Sequence, residues 1–227
     1  MNSPRKTIWM CWFQGENDIG MPQLNMECIS RWRKFNSDHN IHVLDNQSIQ
    51  DFVPEFFTIN RDSPKRSLAA QSDLLRVLLL SKFGGVWVDT SVYPMLPLNS
   101  FYYKLVNDTG FFAYRFFPRK LSPRGGYAET ASWFMCFDGS EHPLSVKLKN
   151  AFIKRYKFDK KWQYLTFHDA LSNLYDTDPE INFIINNMVQ IDANIPHSAL
   201  HYGWTQRSES FLYKRPWGEN IYDQQKT

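Results

Sequence analysis

Three charged residues stand where charge is costly. Asp73 and Arg76 lie inside the run Leu68 to Phe83, which is otherwise apolar nearly all round. Three positions apart, they share one face of a helix. A charge buried there must be paired, because losing the partner costs about 3–5 kcal/mol. Two readings fit the pair. It is a buried bridge that ties helix to sheet, or both side chains reach a ligand, with Asp73 accepting from hydroxyls and Arg76 gripping phosphate or sugar oxygens. Asp89 ends the buried run Val86-Trp87-Val88, just after Gly84-Gly85. In open α/β sheets, ligands bind beyond the carboxyl ends of the strands, so an acid placed there meets one. A Mg²⁺ or Mn²⁺ ion bridging a diphosphate wants one or two such carboxylates together with phosphate oxygens and water. The plainer alternative is an Asp that caps the next turn through Thr90 or Ser91.

The elements that position these residues read as α/β. Thr7 to Phe13 is a short apolar run ending at Gln14-Gly15, a buried strand followed by a loop. From Pro22 to Asn36 the apolar positions Leu24, Cys28, Ile29 and Trp32 have helical spacing, and Ile41 to Asp45 reads as a second strand. Strand, helix, strand argues for a parallel sheet with helices on its faces. Leu68 to Phe83 is a buried helix stopped by Gly84-Gly85, and Val86 to Val88 a central strand. Further on, Gly110–Phe117 and Ala131–Phe137 read as strands joined by a basic loop, 118–126. Pro143 to Tyr156 carries an apolar stripe of Leu144, Leu148, Phe152 and Tyr156. Thr166 with Asp169 resembles a capping box that opens a helix through Tyr175, and Glu180 to Met188 is a further short helix. The chain reads as one domain over 1–227, with 195–227 an irregular, aromatic and polar tail or lid.

Composition sets the limits. In 227 residues, 43% are apolar and 22% charged, ordinary globular values that exclude disorder. No apolar run reaches the roughly 18 residues of a membrane span, and the N-terminus lacks the cleavage site of a signal peptide. Cys11, Cys28 and Cys136 are odd in number and widely spaced, against a disulfide framework or a zinc cluster. A reduced, cytoplasmic enzyme is the expectation. The net charge of +3 hides two basic stretches. Residues 115–124 hold four basic side chains and no acid, and 147–161 hold seven against Asp159 alone. Such patches imply an anionic partner or simply two solvated faces.

The block Ser72-Asp73-Leu-Leu-Arg76, followed by Lys82-Phe-Gly84-Gly85-Val-Trp-Val-Asp89-Thr90-Ser91-Val92, resembles the signature of sugar transferases with a DXD-type motif. The likeness is to the capsular polysaccharide synthesis branch of glycosyltransferase family 32. Ile8-Trp9 with Trp12-Phe13-Gln14-Gly15, Ser132-Trp133-Phe134-Met135 with Asp138 to Pro143, and Phe167-His168-Asp169 resemble its other blocks, so the likeness spans roughly residues 7–190. It implies a GT-A fold, Rossmann-like with a mostly parallel central sheet flanked by helices. It further implies a nucleotide-sugar donor, in all expectation a UDP-sugar, a Mn²⁺ or Mg²⁺ ion, and retention of anomeric configuration. By position, Trp12 would stack on the nucleobase, and Asp73 and Arg76 would hold ribose and donor sugar. Thr90, Ser91 and Trp133 would line the donor site, and Asp89 with Ser91 would meet the metal. Asp73, Arg76 and Asp89 are the expected catalytic set. Ser91 departs from the full motif, which has a second acid there, and one charge fewer weakens metal binding.

Other residues carry less. Trp133 lines the sugar pocket or serves the core. His168 is catalytic or simply an N-terminal helix residue. His197, His201, Trp204 and Lys214 lie in the tail, where lids of such enzymes close over diphosphates. The acceptor expected in such pathways is a saccharide on a lipid carrier. The basic segment 147–161, interleaved with aromatic residues, would then rest on anionic head groups at the inner membrane face, or pack on the sheet with its lysines in water. A non-catalytic glycan- or nucleotide-binding module is the rival reading. A nucleic-acid-binding protein fits poorly, because Asp73 and Asp89 would sit beside phosphates.

Overall fold

The computed structural model describes residues 6–121, 127–160, 165–198 and 211–214. The opening unit folds as its pattern dictates, with β1 (Thr7–Cys11), α1 (Gln23–Phe35) and β2 (Asn40–Leu44), the two strands pairing in parallel. The buried stripe of α1 is Asn25, Cys28, Ile29 and Trp32, so Asn25 takes the place expected for Leu24. Two short helices that carry no periodic signal follow, α2 (Ile49–Phe52) and α3 (Glu55–Arg61). Next come α4 (Leu68–Phe83), capped by the Ser67 hydroxyl accepting from the Ala70 N–H, and β3 (Gly85–Val88).

Gly84 and Gly85 make this junction possible. Both have positive φ, and a Cβ on Gly84 would lie 2.4 Å from the Gly139 carbonyl oxygen. On Gly85 it would lie 2.4 Å from the Thr7 carbonyl oxygen. Only glycine lets the chain reverse out of α4 and run directly against β1.

The chain continues through β4 (Val92–Pro94), a 3₁₀ turn at Leu98–Ser100 and α5 (Tyr102–Val106). A long antiparallel pair follows, β5 (Phe111–Leu121) and β6 (Tyr127–Phe137). The expected loop 118–126 is therefore narrower. Backbone pairing extends to Lys120 and Leu121, with register shifts on either side of Arg115 that bend the ribbon, and 122–126 lie outside the described residues. The sheet order is β2-β1-β3-β6-β5, and all strands but β6 run the same way.

Helices α6 (Pro143–Phe158), α7 (Thr166–Thr177), α8 (Pro179–Asn187) and α9 (Asn194–Ser198) complete the main body. The capping box does not form. The Asp169 N–H already bonds to the Leu165 carbonyl at 2.9 Å, so Thr166 is a buried helical residue, not a cap. The tail is less irregular than expected, because β7 (Leu212–Lys214) pairs antiparallel with β4 and is buried. His201 and Trp204 lie outside the described residues, as does the side chain of His197.

Alternation along the strands splits the core into two layers. Trp9 and Trp87 face α4, α6 and α7, while Ile8, Met10, Val86 and Val88 face α1 and α5. Trp87 is thereby turned toward the helix that carries Asp73 and Arg76.

Candidate active site

The three leading parallel strands end side by side. Past their carboxyl ends stand Trp12 after β1, Asp45 after β2 and Asp89 after β3. Helix α4 brings Asp73 and Arg76 up from below, and β7 brings Lys214 from the other side.

Arg76 is the centre of this cluster. It donates through one terminal nitrogen to Asp73 Oδ1 and through the other to Asp89 Oδ1, at 3.2 Å. Its guanidinium lies 4.8 Å from the Trp87 ring centroid and 5.3 Å from that of Phe167. A planar guanidinium suits such a place between two rings better than an ammonium does. Asp89 Oδ1 also accepts from Trp87 Nε1 at 2.9 Å. Its other oxygen, Oδ2, accepts from Lys214 Nζ at 3.1 Å, and the same ammonium donates to Ser91 Oγ at 2.6 Å. The Asp89 N–H reaches across the sheet to the Trp133 carbonyl at 2.9 Å, and its own carbonyl accepts from Val92 in a tight turn. These bonds aim the carboxylate; the turn is real, but the side chain does not cap it.

The two acids on Arg76 differ in exposure and in the direction in which their surroundings shift them. Asp73 is 15% and Asp89 27% exposed, so both open to the edge of the sheet. Burial pushes the Asp73 carboxyl up to about 6, with Arg76 opposing that rise and the Asp89 charge adding to it. For Asp89, burial also favours the neutral form, but Lys214, Arg76 and the hydrogen bond from Trp87 outweigh it. Asp89 is held below the ordinary carboxylate range. Burial, then the negative charges of Asp45 and Asp89, push the Cys11 thiol far up, against a thiolate there.

The remaining expected site residues divide. Trp12, half-buried at the mouth, donates its indole N–H to Asp18 Oδ2 at 3.0 Å, which fixes the ring near the strand ends. Thr90 is buried, and its Oγ1 accepts from Asn25 Nδ2 at 2.8 Å, so it ties the strand end to α1. Trp133 stacks on Tyr114 with ring centroids 4.7 Å apart and is 7% exposed; its carbonyl and not its ring reaches Asp89. His168 sits half-buried in α7 with its ring edge-on to Phe116 and Phe167.

Asn25 and Trp87 were not singled out from the sequence. Asn25 is marked by being polar on the apolar stripe of α1, and Trp87 by preceding Asp89 by two, on the face that meets α4.

The set fits a divalent ion poorly as it stands. Asp89 and Ser91, the two donors expected to ligate Mn²⁺ or Mg²⁺, share the Lys214 ammonium between them. Among the described residues there is no cluster of three His, Cys, Asp or Glu side chains able to hold a metal.

The chain has likenesses among known proteins. The PaToxG glycosyltransferase superposes with a TM-score of 0.51 and 16% identity over 80% of this chain and 73% of its own. The galactosyltransferase LgtC, solved with donor and acceptor sugar analogues, gives a TM-score of 0.43 and 13% identity over 82% and 87%. No curated protein sequence matches. The fold is of the GT-A glycosyltransferase type, a five-stranded sheet between helices, with the charged cluster at its carboxyl edge. A family model described as capsular polysaccharide synthesis protein matches residues 1–207, and the chain belongs to that family.

Proposed function

We propose that the chain transfers a sugar, with retention of configuration, from a UDP-sugar donor to a saccharide acceptor in the building of a surface polysaccharide. The observation that carries this reading is the pairing of two cations with two carboxylates at one sheet edge. Departure of a nucleoside diphosphate from an anomeric carbon develops negative charge on the leaving phosphate. Fixed cations such as Arg76 and Lys214 stabilise that charge more than they stabilise the bound donor. Asp73, on the same edge, accepts from donor hydroxyls, and Trp12 offers an aromatic face to the base. The C1–phosphate bond breaks, the acceptor oxygen bonds to C1 on the same face, and its proton passes to the departing phosphate oxygen. No protein base is needed for that step.

The acceptor reading draws on α6. Its stripe of Leu144, Leu148, Phe152 and Tyr156 is buried, so these aromatics serve the core and not a membrane. Lys147 is tied to Asp178 and Glu180, each at 2.7 Å. What remains outward is Lys154, Phe158 (74% exposed) and Lys160, a small basic and apolar end suited to anionic head groups near a lipid-linked acceptor. No helix among the described residues is long and apolar enough to cross a membrane.

The test is release of UDP from a panel of UDP-hexoses with and without saccharide acceptors, followed by NMR of the anomeric proton of any product. A new glycosidic bond with the donor's own configuration supports the reading. Tight UDP binding without release, across the panel, would make the chain a binding module.

A further inference from the structure

We infer that the Lys214 ammonium is the resident cation of the donor site, taking the place between Asp89 and Ser91 that a divalent metal would occupy. This rests on the reading above that the ligand is a nucleoside diphosphate sugar. The chain supplies the reasons step by step.

The ammonium bonds to both expected metal donors, at 3.1 Å to Asp89 Oδ2 and 2.6 Å to Ser91 Oγ. It is not there by accident of a long side chain. The β4–β7 pairing sets Lys214 opposite Val92, the residue after Ser91, and the side chain is only 8% exposed. Beyond that pairing, the Met95 N–H bonds to the Phe211 carbonyl at 2.9 Å, and Phe211 stacks on Phe101 at 4.3 Å. A buried ammonium is costly unless a carboxylate is paired with it, and Asp89 provides one.

Charge balance favours the same conclusion. Arg76 is shared between Asp73 and Asp89, and Asp89 between Arg76 and Lys214, so the two cations and two carboxylates of the cluster balance. A second acid at position 91 would leave an uncompensated negative charge where a diphosphate is to bind. The Ser91 hydroxyl accepts the ammonium without doing so, which gives the departure from the full motif a purpose. An ammonium has three donors, and two are used; the third has no partner among the described residues. Arg76 Nε is likewise buried without a partner. Both point to an acceptor-rich ligand, and a diphosphate is one.

The test is calorimetric titration of UDP into the full chain, in EDTA and in Mn²⁺, for wild type, Lys214→Met and Lys214→Arg. Wild-type Kd is expected to agree within about threefold between the two conditions, and Lys214→Met to weaken UDP at least about tenfold in EDTA. Lys214→Arg, which keeps the charge, is expected to recover most of that loss. The wild-type comparison needs no variant to fold. A wild type that gains about tenfold or more in UDP affinity from Mn²⁺ overturns the inference while leaving the nucleotide reading standing. So does a folded Lys214→Met that binds UDP as wild type does. No UDP binding by wild type in either condition defeats the nucleotide reading itself, and this inference with it.

Discussion

Arg76 and Lys214 reach the same carboxylate from opposite directions. Arg76 is 13 residues from Asp89 in sequence and Lys214 is 125. The first rides on a helix of 16 residues buried beneath the sheet, the second on a strand of 3. The near half of the site is thus part of the core and forms with it. The remote half depends on one short strand pair.

The largest effect should expose that difference. Arg76→Met leaves Asp73 and Asp89 facing each other at a partly buried edge, and about 3–5 kcal/mol of stability should be lost. Lys214→Met leaves Asp89 still bonded to Arg76 and Trp87, so about 1–3 kcal/mol is expected. Urea unfolding of both variants decides. Equal losses would mean that β7 belongs to the core as fully as α4 does.

Next is Asp89→Asn, which joins the two halves no longer as a charge. Transfer should fall by about 10²–10³-fold, the range for removing one preorganised electrostatic partner. The amide keeps the size of the carboxylate, and far-UV circular dichroism should be unchanged. A variant that unfolds, or turns over normally, removes Asp89 from the leaving-group machinery.

The same contrast explains what was legible in the sequence. The near half was, because its signals are local: an apolar run with two charges three apart, two glycines that nothing larger replaces, and an acid at a strand end. The β1–α1–β2 unit was legible from its periodicity for the same reason. Lys214 was only one of several tail candidates, because β7 has three residues and its partner strand lies more than a hundred positions earlier. Pairing over that distance leaves no local pattern. Asn25 was hidden by a one-residue rotation of the α1 stripe, since Leu24 and Asn25 are adjacent on the helix. Thr166 misled because a capping box and a buried first turn share the same spacing, and only the Leu165 carbonyl distinguishes them. The length of β5 and β6 was underestimated because a basic residue reads as loop although its backbone, at Lys120, remains paired.

A smaller effect tests the mouth of the near half. Trp12→Ala should weaken UDP by about 1–3 kcal/mol, the range for one aromatic–base stack, with the fold retained. The indole is held by Asp18, so Asp18→Asn should reproduce only a fraction of the loss. Unchanged UDP affinity in folded Trp12→Ala would return the ring to the packing of the sheet end.

The smallest effect separates the two acids on Arg76 by their titration. Burial raises the Asp73 carboxyl from 3.8 to about 6, whereas Asp89 is held below 3.8 chiefly by Lys214 and Arg76 acting against its burial. If ionised Asp73 accepts from donor hydroxyls, the donor KM should about double between pH 8 and pH 6 and continue upward toward pH 5. Stability should move the other way. The folded Asp73 carboxyl takes up its proton at a higher pH than the unfolded chain does, so this residue's contribution makes the fold more stable as pH falls from about 6 toward 4. Asp89 has the opposite sign, but its stabilisation is present above 3.8 and is lost only at lower pH, outside this window. A weaker donor affinity together with a steadier fold is not what general acid damage produces. Asp73→Asn should flatten both curves between pH 8 and pH 5. A wild-type KM that stays flat over that range would take Asp73 off the donor and leave it as the partner that holds Arg76 in place.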